Sequence, residues 1–180
     1  PFAARSTTLS AICNKTAPFP RIVLGKGLFF GIKIFIDQGH NPEGVNAGAE
    51  GFGYREQDIN YAVGTRLAEL LEQDDRFEVK VSRTSPTDSL GTSNATSLAA
   101  RVNDANTWGA DYFISLHTNS YETESPNGIE VYVVEDDSVS YDFGYALLQG
   151  LLNATGLENR GMKYNSNLRV LKNATMPATL

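Results

Sequence analysis

His40 and His117 are the only two histidines in the chain, and together with Glu56 they make a set of side chains suited to zinc. Two neutral imidazoles and one carboxylate leave a fourth coordination position for water. Such an open site lowers the pKa of that water toward about 7 and polarises a substrate carbonyl. The intervals between the three residues, 16 and 61, do not match the compact HExxH helix of many zinc proteases. Cys13 is the single cysteine and there is no CxxC pair, so any metal here must be held by nitrogen and oxygen. Taken one at a time, the three residues also fit plainer readings. A histidine after a strand is commonly a loop residue, and a glutamate in a helix's first turn commonly serves the helix dipole.

Their place along the chain is what joins them. Ile32 to Ile36 is a short β-branched and aromatic strand, and His40 lies four residues beyond it. Tyr112 to Leu116 is another strand, and His117 follows it directly. Between them, Glu56 opens a helix that runs to about Gln73, with Ile59, Val63, Leu67, Leu70 and Leu71 at helical spacing. The remaining elements are a strand at Phe77 to Val81, a helix at about Ser97 to Trp108 and a strand at Gly128 to Val134. A helix at Asp137 to Thr155, a strand at Leu168 to Leu171 and the start of a last strand at Ala178 complete the set. Strands alternating with helices predict an α/β fold, with a mainly parallel mixed sheet of about six strands covered by helices on both faces. Ligands of such folds gather outside the carboxyl ends of the strands, where both histidines would stand. On chemistry alone, the metal site and the structural reading stand level.

Composition narrows the function further. The net charge of −6 and pI near 4.9, with no basic cluster, exclude nucleic acid as a natural partner. No apolar run approaches the roughly 20 residues of a transmembrane helix. Pro1 opens the chain without a basic start or an apolar h-region, and an already processed chain would read the same. Residues 1–31 lack periodicity and read as an N-terminal arm or linker ahead of a domain at 32–180. Trp108 and Phe113 read as core. The four Asn-Ala-Thr or Asn-Lys-Thr triplets, at Asn14, Asn94, Asn153 and Asn173, are of a kind that arises often by chance. No feature sets an oligomeric state.

The run Ile34-Phe35-Ile36-Asp37-Gln38-Gly39-His40 resembles the opening strand of zinc-dependent N-acetylmuramoyl-L-alanine amidases, cell-wall catalytic domains of the amidase-3 type. That family reads apolar strand, Asp, Pro, Gly, His, and here Gln38 stands at the proline. Gly48-Ala49-Glu50-Gly51 with Arg55 to Asn60 is similar to its second block. Arg101, Ala105-Asn106 and Ala110 to Ser120 are similar to its third. Gly128 to Tyr132 and Leu168 to Leu171 continue the likeness, which spans Ile32 to Leu180.

The resemblance implies that His40, Glu56 and His117 are zinc ligands. It also implies a hydrolase that cuts the amide between N-acetylmuramic acid and the first L-alanine of peptidoglycan. The setting it implies is extracellular, periplasmic or wall-associated, as an autolysin or a phage-delivered lysin. The family's catalytic glutamate is expected just after Leu180, so the C-terminal strand reads as cut short. Asn119 is a candidate to orient substrate or water, and Glu130 to support the site from behind. Tyr54 and Tyr121 are candidates to touch glycan or peptide. The alternatives are a catalytically incomplete wall-binding module, or another zinc amidohydrolase such as a carboxypeptidase.

Overall fold

The computed structural model describes residues 31–120, 127–136 and 138–180. The expected N-terminal arm, apart from Gly31, and Tyr121 therefore lie outside the described residues. In chain order the elements are β1 (Ile32–Gln38), the two-residue strands β2 (Glu50–Gly51) and β3 (Tyr54–Arg55), α1 (Glu56–Leu71) and β4 (Phe77–Val81). There follow α2 (Asn94–Trp108), β5 (Tyr112–Leu116), β6 (Ile129–Val133), α3 (Ser138–Thr155), β7 (Asn159–Tyr164), the single turn α4 (Arg169–Lys172) and β8 (Ala178–Thr179).

Strands β4, β1, β5 and β8 lie side by side and parallel. β6 and β7 form a second parallel pair. Leu180 joins the two groups, because its N–H donates to Tyr132 O and its carbonyl accepts from Tyr132 N, at 3.0 and 2.7 Å. That reciprocal exchange is antiparallel, so the whole forms a mixed sheet in the order β4-β1-β5-β8-β6-β7. The expected α/β architecture of about six strands is the one observed.

Both faces of the parallel part are apolar, which is why its strands read as nearly continuous hydrophobic runs. Phe35 and Phe113 stack at 5.7 Å on one face, with Ala105 of α2, Val170 and Leu171 of α4, and Trp108 against them. Ile34, Ile36 and Ile114 point to the other face, onto Ala68, Leu67 and Leu71 of α1 and Phe143 and Leu147 of α3. This alternation keeps β1 in one register. A slip by one residue would send Asp37, 1% exposed, to the wrong layer.

Two expectations need correcting. Leu168 to Leu171 is not a strand: it enters a helical turn, with Lys172 N–H bonded to Leu168 O and Asn173 N–H to Arg169 O. A four-residue apolar run carries too little periodicity to separate the two conformations, and burial of Val170 and Leu171 on the phenylalanine face decides for the turn. Strand β7, Asn-Arg-Gly-Met-Lys-Tyr, went unanticipated because an edge strand with polar positions lacks the alternating pattern. Helix α2 also begins three residues earlier than expected. Ser93 Oγ accepts from Thr96 N at 3.2 Å, and Thr96 Oγ1 accepts from Ser93 N at 2.9 Å, a reciprocal cap. Ser93→Ala should cost about 1 kcal/mol in urea unfolding at unchanged m-value.

Candidate metal centre

β1 delivers His40 by an unusual backbone step. Gly39 continues the ladder with its N–H on Leu116 O, and His40 then takes a left-handed conformation at φ 70°. A non-glycine residue there is uncommon and must be held by its surroundings. Two buried arginines hold it: Arg101 Nη2 donates to His40 O at 2.7 Å and Arg83 Nη1 at 3.4 Å. Arg101 also donates to Gln38 O at 2.7 Å and Asn41 Oδ1 at 2.9 Å, and pairs with Asp37 at 2.7 Å. The His40 ring then bonds Asn46 O through Nδ1 at 3.2 Å, which leaves Nε2 to face Glu56.

Glu56 is the first residue of α1, and its N–H bonds Ala49 O rather than a side-chain cap. Its carboxylate is aimed by two backbone amides and the Asn60 amide, and faces both imidazoles. Oε1 meets Thr118 N at 3.0 Å, Asn60 Nδ2 at 3.4 Å and His117 Nδ1 at 3.1 Å; Oε2 meets Ala49 N and His40 Nε2, both at 3.2 Å. Burial opposes its charge. The neighbouring imidazoles of His117 and His40, with the Ala49 amide, outweigh burial and hold the carboxyl well below the usual range.

His117 leaves β5 at the same sheet edge. Its ring lies edge-on to His40, with centroids 4.7 Å apart. Against Gly39 the fit is close: a Cβ on that residue would sit 2.6 Å from two His117 ring atoms and 2.4 Å from Leu116 O. Gly39→Ala should therefore push His117 out of line. Zinc affinity should fall by about 10- to 100-fold, a loss of the size seen when a ligand's support is removed, and chelator competition would read it.

The three ligand atoms lie within 4.8 Å of one another. Each imidazole nitrogen is 3.1 to 3.2 Å from an oxygen of the same carboxylate. Ligands about 2 Å from a tetrahedral zinc lie about 3.3 Å apart, so the donor set fits that ion in chemistry, and its two imidazole–carboxylate separations fit it in spacing.

Beside the cluster opens a cleft of about 410 Å³, lined also by Thr118, Asn119, Ser120, Tyr132, Asn165, Leu168 and Leu180. Of the other expected site residues, Asn119 forms part of this wall, whereas Glu130 stands behind it, bonded to Asn119 and Tyr132. Tyr54 is 69% exposed and is not among the described residues of the wall. Sequence reasoning missed the Thr118 amide, Asn60 and Asn46. Asn60 had a signal, since it lies one helical turn after Glu56. The other two had none.

Fold and cluster together define an α/β domain with a candidate mononuclear metal centre at the carboxyl edge of its parallel strands. The chain belongs to the N-acetylmuramoyl-L-alanine amidase family, whose pattern it matches over residues 34–180. It is similar to the sporulation-specific N-acetylmuramoyl-L-alanine amidase of Bacillus subtilis (strain 168), at 32% identity over 151 residues, covering 83% of this chain and 54% of that protein. The amidase CwlM of Bacillus licheniformis matches at 32% over 150 residues, with the same shares. The chain thus spans about half the length of these curated relatives. Among solved structures, the catalytic domain of CwlV, an N-acetylmuramoyl-L-alanine amidase of Bacillus (Paenibacillus) polymyxa var. colistinus, superposes with a TM-score of 0.70. That match has 31% identity and covers 82% of this chain and 77% of the other. The amidase of Clostridium difficile 630 gives a TM-score of 0.72 at 28% identity, over 83% and 77%.

Proposed function

We propose that residues 32–180 are the catalytic domain of a zinc-dependent hydrolase that cleaves the amide between N-acetylmuramic acid and L-alanine in peptidoglycan. It acts in the cell envelope or on the wall from outside, as an autolysin or a phage-delivered lysin. The observation that carries this reading is the convergence of His40, Glu56 and His117, at one edge of the sheet of a chain in this family. Among the described residues no helix is long and apolar enough to cross a membrane.

Zinc held by these three residues supplies Lewis acidity toward water and toward the amide carbonyl. The protein's own part is to present and orient. Asn46 O keeps the proton of His40 on Nδ1, and the amides of Ala49 and Thr118 fix the rotamer of Glu56. Leu168 and Leu180 offer apolar surface to the methyl groups flanking the amide, while Asn119, Ser120, Tyr132 and Asn165 offer polar contacts. The leaving amine needs a proton, which is worth about 10²- to 10⁴-fold in rate. Among the described residues of the cleft wall, Glu56 is the sole carboxylate, and it is committed to the metal.

The test is digestion of purified peptidoglycan by the zinc-loaded protein. New L-alanine amino termini, labelled and identified by mass spectrometry, are expected. Release of D-alanine would instead identify a carboxypeptidase, and wall binding without any cleavage would identify a binding module; either overturns the reading.

A further inference from the structure

Glu130, at the start of β6, has donors at both of its carboxylate oxygens. Oε1 accepts from Asn119 Nδ2 at 2.9 Å and from the Tyr132 hydroxyl at 3.0 Å. Oε2 accepts from Arg160 Nε at 2.9 Å and faces Lys163 Nζ at 3.6 Å. The side chain is 8% exposed. Burial works against its charge, but the donors of Arg160, Asn119 and Tyr132 hold its carboxyl below the usual range.

An ionised carboxylate only accepts. That fixes the polarity of its two neighbours in the cleft wall. Asn119 must turn its NH2 toward Glu130, which turns its carbonyl oxygen off that carboxylate, in a residue that borders the cleft. Tyr132 spends its one proton on Glu130 and keeps its lone pairs.

We infer that Glu130 is a positioning residue that makes the Asn119 carbonyl the hydrogen-bond acceptor of this stretch of wall, selective for a backbone N–H of the bound stem peptide. The inference rests on the cell-wall reading above. It makes a sharp demand of a nearly isosteric change. In Glu130→Gln, Arg160 and Lys163 can only donate, so they take the carbonyl oxygen of the new amide. Its NH2 then meets Asn119 and Tyr132. Asn119 flips to accept from it and turns a donor toward the cleft, and the wall changes sign.

The probes are N-acetylmuramoyl-L-alanyl-D-isoglutamine and two ester analogues. One replaces the N–H of the muramoyl–alanine link by oxygen, and the other replaces that of the alanine–isoglutamine link. Affinity is measured on the zinc-loaded protein by calorimetry, or as KM where a probe is cleaved. The wild type should prefer the amide over one of the esters by about three- to tenfold, the net worth of a single hydrogen bond. Glu130→Gln should weaken the amide by a similar factor and bring the preference to about one, with zinc content unchanged. Asn119→Ala removes the acceptor while leaving Glu130 in place. It should abolish the preference too, and it carries the test alone should Glu130→Gln not fold. Equal binding of the amide and both esters by the wild type, or a preference that survives in Asn119→Ala, overturns the inference. A wild type that binds none of the three overturns the cell-wall reading itself.

Discussion

Replacing His117 by alanine is expected to abolish stoichiometric zinc uptake, where the unaltered protein takes up about one equivalent. Zinc held by four protein ligands in small domains is bound by about 10–16 kcal/mol, so one ligand carries about 3–4 kcal/mol. Its loss should weaken binding by about 10²- to 10³-fold. His40→Ala should do the same, with a further effect on the backbone. His40 sits at φ 70°, so the alanine variant keeps the strained conformation while losing the ring's bond to Asn46 O. The His117 side chain is 26% exposed at the sheet edge, so its truncation opens no cavity in the core and melting of the metal-free protein should hardly move. Competition with a chromophoric chelator measures both variants. An unaltered protein that takes up no zinc would end the metal reading, as would a His117→Ala variant that binds it equally well.

The second large effect concerns stability. Arg101 and Asp37 are each 1% exposed and paired at 2.7 Å, with Ser115 Oγ donating to the other carboxylate oxygen at 2.8 Å. Removing one partner of such a pair strands a charge in the core. Arg101→Met should therefore cost about 3–5 kcal/mol, whereas changing both partners together should cost much less. Asp37→Asn combined with Arg101→Met is the control. The pH dependence has a definite sign. In the unaltered protein, burial works against ionisation of Asp37, but the charge and hydrogen bond of Arg101 and the bond from Ser115 hold its carboxyl below the usual range. A depressed folded-state pKa contributes stability above the unfolded value of about 3.9, and that stability is lost as pH falls through the folded value. Without Arg101, burial dominates and the folded value rises above the unfolded one. The variant should then gain stability relative to wild type as the pH is lowered from 7 toward 4. Urea unfolding at pH 7 and pH 5 distinguishes these cases. A loss under about 1 kcal/mol at pH 7, with no pH trend, would show that the pair is not what holds the His40 turn.

These two effects share one structural cause, and the sequence revealed half of it. Asp37 and Arg101 both stand in stretches that resemble family blocks, yet nothing local says that residues 64 positions apart make one buried pair. The same holds for Arg83, whose guanidinium reaches the His40 and Gln57 carbonyls. Gly39 was conspicuous in the sequence, but for a different reason from the one it serves. The left-handed step falls on His40, and the glycine is needed because the His117 ring lies against it. Strand β7 was invisible for a physical reason as well. Its pairing with β6 comes from backbone bonds and from α3 packed over the pair, neither of which leaves an alternating pattern in Asn159 to Tyr164.

The sequence by itself determined which atoms are available for a metal and the edge of the sheet they would share. With two histidines, one cysteine and a strand ending ahead of each imidazole, these two rings are the imidazole ligands the chain can offer. The tertiary structure decided everything that depends on direction and distance. It brought three candidate ligand atoms from segments 16 and 61 residues apart within 4.8 Å, chose which nitrogen of each ring faces Glu56, and set Glu130 behind Asn119 rather than in the cleft. The reason lies in what each level encodes. Periodicity records which side of an element is buried, so it places a residue on a face or at an edge. Where a side chain points within that edge is set by packing and hydrogen bonds from segments remote in sequence, and those form only when the layers close.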